Sequence, residues 1–496
     1  MISRIFYVLI FILLGFGCNL NISEKNFKPN IIFIMSDDHT CGAISAYGDS
    51  FVETPNIDRL ADSGMRFTNA FNVVSLCGPS RASILSGKYS ILNGTLRNYD
   101  MFDRNQVTFP KLLQHAGYET AIIGKWHLMS QPAGFDFYDV ISGQGSYFNC
   151  RMKDNEMDWQ DGGKGGQPQP GYVTNVITDK AINWLKNRKE DSPFCLMVHH
   201  KAPHEPYQYP EQYEKILAGK KLPIPDTFND NYKGKNSHLQ NKECTASKLV
   251  NAIERTLTRA FGDRFDNGVE SGSPEYKIQA YNIITKGYYR LVKGLDENIG
   301  KLIDFVDSTG LGDKTIIIYT SDNGFFLGEH GLFNKQWMYE ESLKIPLIVR
   351  YPKEVKAATV SNEFISTLDF APTLLDYAQT NIPEEFQGHS IRPILKNNIP
   401  EDWRSVHFYH YYSQYEVPSH YGIRTNDYKL IHFYDLKENP TWELYDLKND
   451  PGEMTNLYYN SDFIGVKEQL KILLKEKRKE FESIKESDLV SNKIIP

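Results

Sequence analysis

Asn30-Ile31-Ile32-Phe33-Ile34-Met35-Ser36-Asp37-Asp38-His39 is an unbroken apolar, β-rich run that ends in two adjacent carboxylates. A run without polar alternation reads as a central parallel strand covered on both faces, which decides for an α/β sheet. Ligands of open α/β sheets sit at the carboxyl ends of the strands, and paired carboxylates there are costly unless something positive joins them. A hard divalent cation is the natural partner, although on this stretch alone a solvated turn or a helix cap accounts for the pair equally well.

A second run repeats the design. Thr315-Ile316-Ile317-Ile318-Tyr319-Thr320 leads to Ser321-Asp322-Asn323-Gly324. Asp37, Asp38, Asp322 and Asn323 together suit Ca²⁺ or Mg²⁺ better than Zn²⁺, which prefers His and Cys. Two further apolar runs end in basic groups: Thr120–Ile123 before Gly124-Lys125-Trp126-His127, and Phe194–Val198 before His199-His200-Lys201-Ala202-Pro203-His204. A lone Lys-x-His is more often an exposed lysine beside a satisfied histidine, so these runs gain meaning only from their company.

That company is Cys77-Gly78-Pro79-Ser80-Arg81-Ala82-Ser83-Ile84-Leu85-Ser86-Gly87. Pro79 and Ser80 suit a first helical turn and Gly87 a stop. Such a helix aims free N–H groups at an anion over Cys77, with Arg81 one turn in; the plainer reading is a buried thiol and a surface arginine. Cys-x-Pro-Ser-Arg followed by an apolar pair, a small hydroxyl residue and Gly resembles the signature of the type I sulfatases of the alkaline phosphatase superfamily. The resemblance implies conversion of Cys77 to formylglycine, whose hydrate is the nucleophile, by a formylglycine-generating maturation enzyme. It implies metal ligation, usually of calcium, by Asp37, Asp38, Asp322, Asn323 and the matured Cys77 side chain. It also implies catalytic roles for Arg81, Lys125, His127, His204 and, in the loop Leu327–Lys335, Lys335. His200 is a near neighbour of His204 and is taken as a substrate-binding candidate.

The chain has 496 residues, 41% hydrophobic and 24% charged, enough for a large core and a second small domain. A formal net charge of −7 argues against nucleic acid as a partner. Met1–Arg4 and the apolar run Ile5–Phe16 form an export signal too short for a confident membrane span. Leu14-Gly15-Phe16-Gly17-Cys18 resembles a lipobox, so residues 1–18 are expected to be a lipoprotein signal, Cys18 the lipidated first residue and 19–28 a tether to the bacterial outer membrane. A plain secretory signal is the alternative. Cys41, Cys150, Cys195 and Cys244 permit three pairings or none.

Residues 205–280 are polar and irregular and read as an insertion over the active edge. Apolar spacing predicts an amphipathic helix from Tyr281 to Val306, with Asp296 and Glu297 on its solvated side, and a strand from Ile345 to Val349. Beyond Pro400, aromatic strands at 407–412 and 428–434 and a closing helix from Val466 to Lys485 resemble the sulfatase C-terminal subdomain. The expected architecture is therefore a large mixed, mostly parallel sheet sandwiched by helices over 29–400, plus a small antiparallel-sheet subdomain over 401–490. Tyr and His at 407–421 suit either sugar stacking or core packing. The expected function is hydrolysis of sulfate esters on a sulfated oligo- or polysaccharide, algal (ulvan, carrageenan) or glycosaminoglycan. A phosphodiesterase or phosphonate monoester hydrolase of the same superfamily, and a catalytically silent glycan-binding protein, are the competing readings.

Overall fold

The computed structural model describes residues 27–48, 51–240, 273–415, 417–434 and 441–481. The signal segment, Cys18 and Cys244 lie outside these. Ten strands make the main sheet: β1 (Asn30–Asp37), β2 (Met65–Phe67), β4 (Glu119–Lys125), β5 (Phe137–Ile141), β6 (Arg151–Asp154), β7 (Gln167–Pro168), β8 (Phe194–Pro203), β9 (Thr315–Ser321), β10 (Leu347–Arg350) and β11 (Thr359–Ser361). The remaining short pair is β3 (Ala70–Phe71) with β12 (Ile365–Ser366). Their order is β11-β2-β10-β9-β1-β8-β4-β5-β6-β7. The centre, β9-β1-β8-β4-β5, is parallel, while β10 runs antiparallel to both β9 and β2, and β6 and β7 turn back beyond β5. Ser36 pairs with Ser321 in register, so the two acidic strand ends finish side by side.

Strand alternation explains the two layers. Ile32 and Ile34 face one core, with Ile177 and Ala181 of the helix Val173–Asn187 and Ile284, Leu291 and Leu295 of the helix Pro274–Ser308. Ile31, Phe33 and Met35 face the other, with Ala82, Ile84 and Leu85 of the helix Cys77–Ser86 and Phe370 and Leu374 of the helix Phe370–Tyr377. Both faces of β1 are consumed, which is why its sequence carries no polar alternation.

The predicted helix at Tyr281 begins earlier, at Pro274, where Ser273 caps it by accepting a hydrogen bond from Tyr276 N. The expected strand at Ile345 begins at Leu347, because Pro346 offers only its carbonyl, to Thr320 Oγ1. Asp296 is not solvated. It is fully buried, and its carboxylate accepts from Asn56 N at 3.0 Å, Ile57 N at 2.9 Å and Asn56 Nδ2 at 2.9 Å, capping the neighbouring helix Pro55–Asp62 from outside. Glu297 accepts from Tyr213 OH at 2.7 Å. Cys41, Cys150 and Cys195 are free thiols.

A four-stranded antiparallel sheet follows: β13 (His407–Tyr411), β14 (His420–Arg424), β15 (Tyr428–Phe433) and β16 (Thr441–Asp446), closed by the helix Ile464–Arg478. Its aromatic crowd is core: Tyr409, Tyr411, Tyr412, Tyr421, His407 and His420 are buried. Asp296→Ala should lower stability by about 1–3 kcal/mol, since it strands two helix-terminal N–H groups in the core. Thermal unfolding of the purified protein measures this, and a melting temperature equal to the parent's would mean that the external cap is dispensable.

Candidate active site

The helix Cys77–Ser86 starts at the cysteine and stops at Gly87, whose φ of 63° is the left-handed stop read from the sequence. Every residue of it is buried. Its first free N–H, at Gly78, donates to Asn98 Oδ1 at 2.9 Å. Gly124 holds the next strand close: its φ is 107°, and a Cβ there would lie 1.9 Å from the His199 carbonyl oxygen. This close approach brings Lys125 to the carboxyl end of β4, beside the ends of β1 and β8.

At that edge the side chains converge. Cys77 Sγ lies 3.4 Å from Asp37 Oδ1 and 2.9 Å from Lys335 Nζ, and Asn323 Nδ2 stands 3.8 Å from the sulfur. Lys335 Nζ donates to both oxygens of Asp38, Oδ2 at 2.5 Å. Lys125 Nζ pairs with Asp37 and also donates to Gln144 Oε1 at 2.7 Å. Arg81 donates from Nε to Asp322 Oδ2 at 2.9 Å and from a terminal nitrogen to the Lys125 carbonyl at 2.7 Å. Asp322 Oδ1 accepts from Asp38 N at 3.1 Å. His204 Nε2 approaches Asp38 Oδ2 at 3.7 Å while its Nδ1 meets the Glu205 carbonyl at 2.7 Å.

Desolvation dominates the electrostatics. Burial pushes Asp37 up, but Lys125, His204, Arg81 and Lys335 outweigh it and hold the carboxyl well below its usual range. Asp38 goes the other way: burial, with Asp37 and Asp322 beside it, pushes it up to about 7 despite Lys335. Burial also raises the Cys77 thiol and lowers the imidazoles of His127 and His204. Burial opposes the charge on Lys335, yet Asp38, Cys77 and the other carboxylates hold it well above the ordinary lysine value.

Ligand atoms of Asp37, Asp38, Cys77 and His204 all lie within 4.8 Å of one another. Asn323 Oδ1 is buried and has no hydrogen-bond partner. Hard oxygen donors in excess, one carboxylate driven toward neutrality and one orphaned amide oxygen are what a divalent cation would satisfy. The residues therefore fit a metal, which Asp37, Asp38 and Asn323 with the position 77 side chain would hold; the other expected acid, Asp322, stands beside them with its oxygens accepting from Asp38 N and Arg81 Nε.

Asp37, Asp38, Cys77, Arg81, Lys125, His204, Asp322, Asn323 and Lys335 are brought together by these contacts; His127 is joined to them by the charges of Lys125, Asp37, Arg81 and Lys335 alone, and His200 stands apart. His200 is buried, its Nδ1 is without a partner, and no hydrogen bond ties it to the cluster. Strand alternation gives the facing place to its neighbour His199, whose Nδ1 lies 3.1 Å from the Lys125 carbonyl and 3.4 Å from Arg81. Gln144 and Asn98 were not singled out, because an amide in a loop carries no sequence signal until its partner is known. The region after His204 does more than lie over the edge. Asp230 pairs with Lys235 at 2.5 Å and with His330 Nδ1 at 2.8 Å, and Tyr232 OH donates to the His330 carbonyl. Thus Phe228 and Tyr232, both buried, anchor this segment against the loop that delivers Lys335.

Ca²⁺ at saturation should stabilise the protein by about 3–4 kcal/mol, the linkage expected at a hundred- to a thousandfold excess over Kd. Asp37→Asn should abolish that gain, as scanning calorimetry with and without chelator would show; an equal Ca²⁺ response in the variant would remove Asp37 from the ligand set.

The comparisons agree with this geometry. Residues 29–380 match the Sulfatase family, and 328–480 match the N-sulphoglucosamine sulphohydrolase C-terminal family. An N-acetylglucosamine-6-O-sulfatase of Bacteroides thetaiotaomicron is 41% identical over 92% of this chain and 88% of its own length. An ulvan-active sulfatase of Formosa agariphila is 27% identical over 91% of this chain and 81% of its own. A solved structure in complex with its substrate D-glucosamine-2-N,6-O-disulfate aligns with a TM-score of 0.84 at 38% identity, over 92% of this chain and 98% of that one. With the helix Cys77–Ser86, the acidic strand ends and the basic side chains converging on one sheet edge, the chain belongs to the sulfatase family, and it is a sulfuric ester hydrolase on the alkaline phosphatase-like fold.

Proposed function

We propose that this chain hydrolyses sulfate esters on sugars of a sulfated oligo- or polysaccharide, with the 6-O-sulfate of an N-acetylglucosamine-type unit as the favoured substrate. The observation that carries this is the 41% identity, over 92% of this chain, to an N-acetylglucosamine-6-O-sulfatase. Cys77 Sγ stands where the matured side chain would be. Conversion to formylglycine supplies an aldehyde hydrate there, a nucleophile whose second hydroxyl gives the sulfate a route out; a bound cation, Ca²⁺ or Mg²⁺, supplies charge neutralisation.

The chain's own residues do the rest. Arg81, Lys125 and Lys335, now matched to buried carboxylates, present three positive charges around the position a sulfate would take, fixed before the substrate arrives. His204 commits Nδ1 to the Glu205 carbonyl and leaves Nε2 facing the site. A sulfate's negative charge beside Nε2 favours the protonated ring, from which the departing sugar oxygen takes its proton. His127 Nδ1 is buried with no hydrogen-bond partner, which leaves it open to accept a proton when sulfate is expelled. We further infer export and lipid anchoring at Cys18, from the Leu14–Cys18 stretch.

The test is sulfate release, followed by ion chromatography, from 6-O-sulfated N-acetylglucosamine and from glycosaminoglycan, ulvan and carrageenan fragments. It uses protein co-expressed with a formylglycine-generating enzyme and verified by mass spectrometry. Release from the glucosamine class is expected. Faster phosphate or phosphonate release would favour the esterase reading, and saccharide binding without release the binding protein. Cys77→Ser should abolish turnover in a folded protein, because a single hydroxyl cannot eliminate sulfate; sustained turnover would sink the mechanism. His204→Ala should cost about 10²–10⁴-fold on a sugar sulfate and far less on an aryl sulfate, whose leaving group needs no proton. Equal losses on both would take the proton-donor role away from His204.

A further inference from the structure

Tyr415 is the one described tyrosine or phenylalanine in 407–421 that the core does not consume, and it is 56% exposed. It sits at the tip of the connection between β13 and β14, with φ at 55°, the left-handed region that a bulky residue enters at a cost of about 1–2 kcal/mol. Core packing does not account for this exposed aromatic ring.

Its surroundings do. The tip is held rigidly: Tyr411 OH donates to the Gln414 carbonyl at 2.9 Å and Val417 N to the same oxygen at 3.2 Å. It is also fastened to the catalytic domain. Arg97 Nε donates to the Ser413 carbonyl at 3.0 Å, and Gln414 Oε1 accepts from Asn98 N at 3.0 Å. Asn98 then spans the gap, with Nδ2 3.4 Å from Tyr415 OH and Oδ1 accepting from Gly78 N at 2.9 Å. Gly78 in turn packs against His127, whose carbonyl oxygen would lie 3.3 Å from a Cβ placed there. Two hydrogen bonds therefore separate the Tyr415 hydroxyl from the residue that follows the nucleophile.

We infer that Tyr415 is a specificity-determining residue, its ring taking the apolar C–H face of a pyranose seated at the mouth of the site. An exposed aromatic on a fixed tip contributes contact area with few rotamers to freeze, which suits a polar ligand that offers one apolar face. The C-terminal subdomain thereby supplies part of the saccharide-binding surface. This inference rests on the carbohydrate-sulfatase reading.

Formylglycine-bearing Tyr415→Ala, Tyr415→Phe and parent protein are compared on 6-O-sulfated N-acetylglucosamine and on the oligosaccharide fragment that the parent cleaves best. Tyr415→Ala should raise KM about three- to tenfold, the size of a lost aromatic contact, with kcat changed less than twofold. Tyr415→Phe keeps the ring and loses only the contact with Asn98, so its KM should stay within twofold of the parent's. Calorimetric binding in a Cys77→Ala background should show the same loss of affinity for Tyr415→Ala. If Tyr415→Phe lowers kcat as much as Tyr415→Ala does, the residue acts through Asn98 on the nucleophile helix and the stacking role is wrong. An unaltered KM in Tyr415→Ala would also overturn it. A parent that neither binds nor cleaves any sulfated saccharide would instead overturn the functional reading on which this one rests.

Discussion

Three carboxylates, Asp37, Asp38 and Asp322, lie fully or nearly fully buried where two adjacent parallel strands end. Each buried anion costs several kcal/mol unless it is paired and hydrogen-bonded. The fold meets that requirement by drawing cations from distant parts of the chain: Arg81 from the helix Cys77–Ser86, Lys125 from the end of β4, Lys335 from the loop beyond β9. The lysines and the arginine that would later meet a sulfate are thus already needed to keep the acids buried. The site is preorganised because the structure would be electrostatically unbalanced without it.

The same constraint reaches outward. Lys335 sits on a loop that must not wander, and the buried Asp230–Lys235–His330 cluster ties that loop to the segment preceding the helix Pro274–Ser308. Tyr339 and Tyr445 both donate to Glu443 Oε2 at 2.8 Å, linking the residues after Lys335 to the C-terminal sheet. Arg424 and Lys429 of that sheet pair with Glu340. The small subdomain is therefore bonded to the loop that delivers the Lys335 charge to Cys77.

What the sequence made legible follows from which signals are local. β1 and β9 could be read because burial on both faces leaves unbroken apolar runs, and the acids after them could be read because the same polar ending recurs on both strands. The helix at Cys77 announced itself through Pro79 and Gly87. Asp296 was misplaced because spacing along its own helix cannot reveal that the N-terminus of another helix, at Asn56 and Ile57, lies against it. His199 and His200 differ by one position on a strand, and only the register of β8 against β4, with Gly124 opposite His199, decides which of them faces Arg81.

The aromatic residues of the C-terminal sheet make the same point in reverse. From composition alone, Tyr and His at 407–421 could serve a sugar or a core, since both want large flat side chains. The structure divides the work by position. Residues on the strands point into packed layers and are spent on stability, as with Tyr409 and Tyr411. Tyr415, at the turn between strands, has no layer to enter, and its contact runs instead through Asn98 to Gly78, the residue after Cys77. Strand residues of this subdomain thus pack or fix the loop that carries Lys335, while an exposed aromatic ring extends toward Cys77 from a connection between strands. That is where differences in substrate choice among proteins sharing this catalytic edge should be sought.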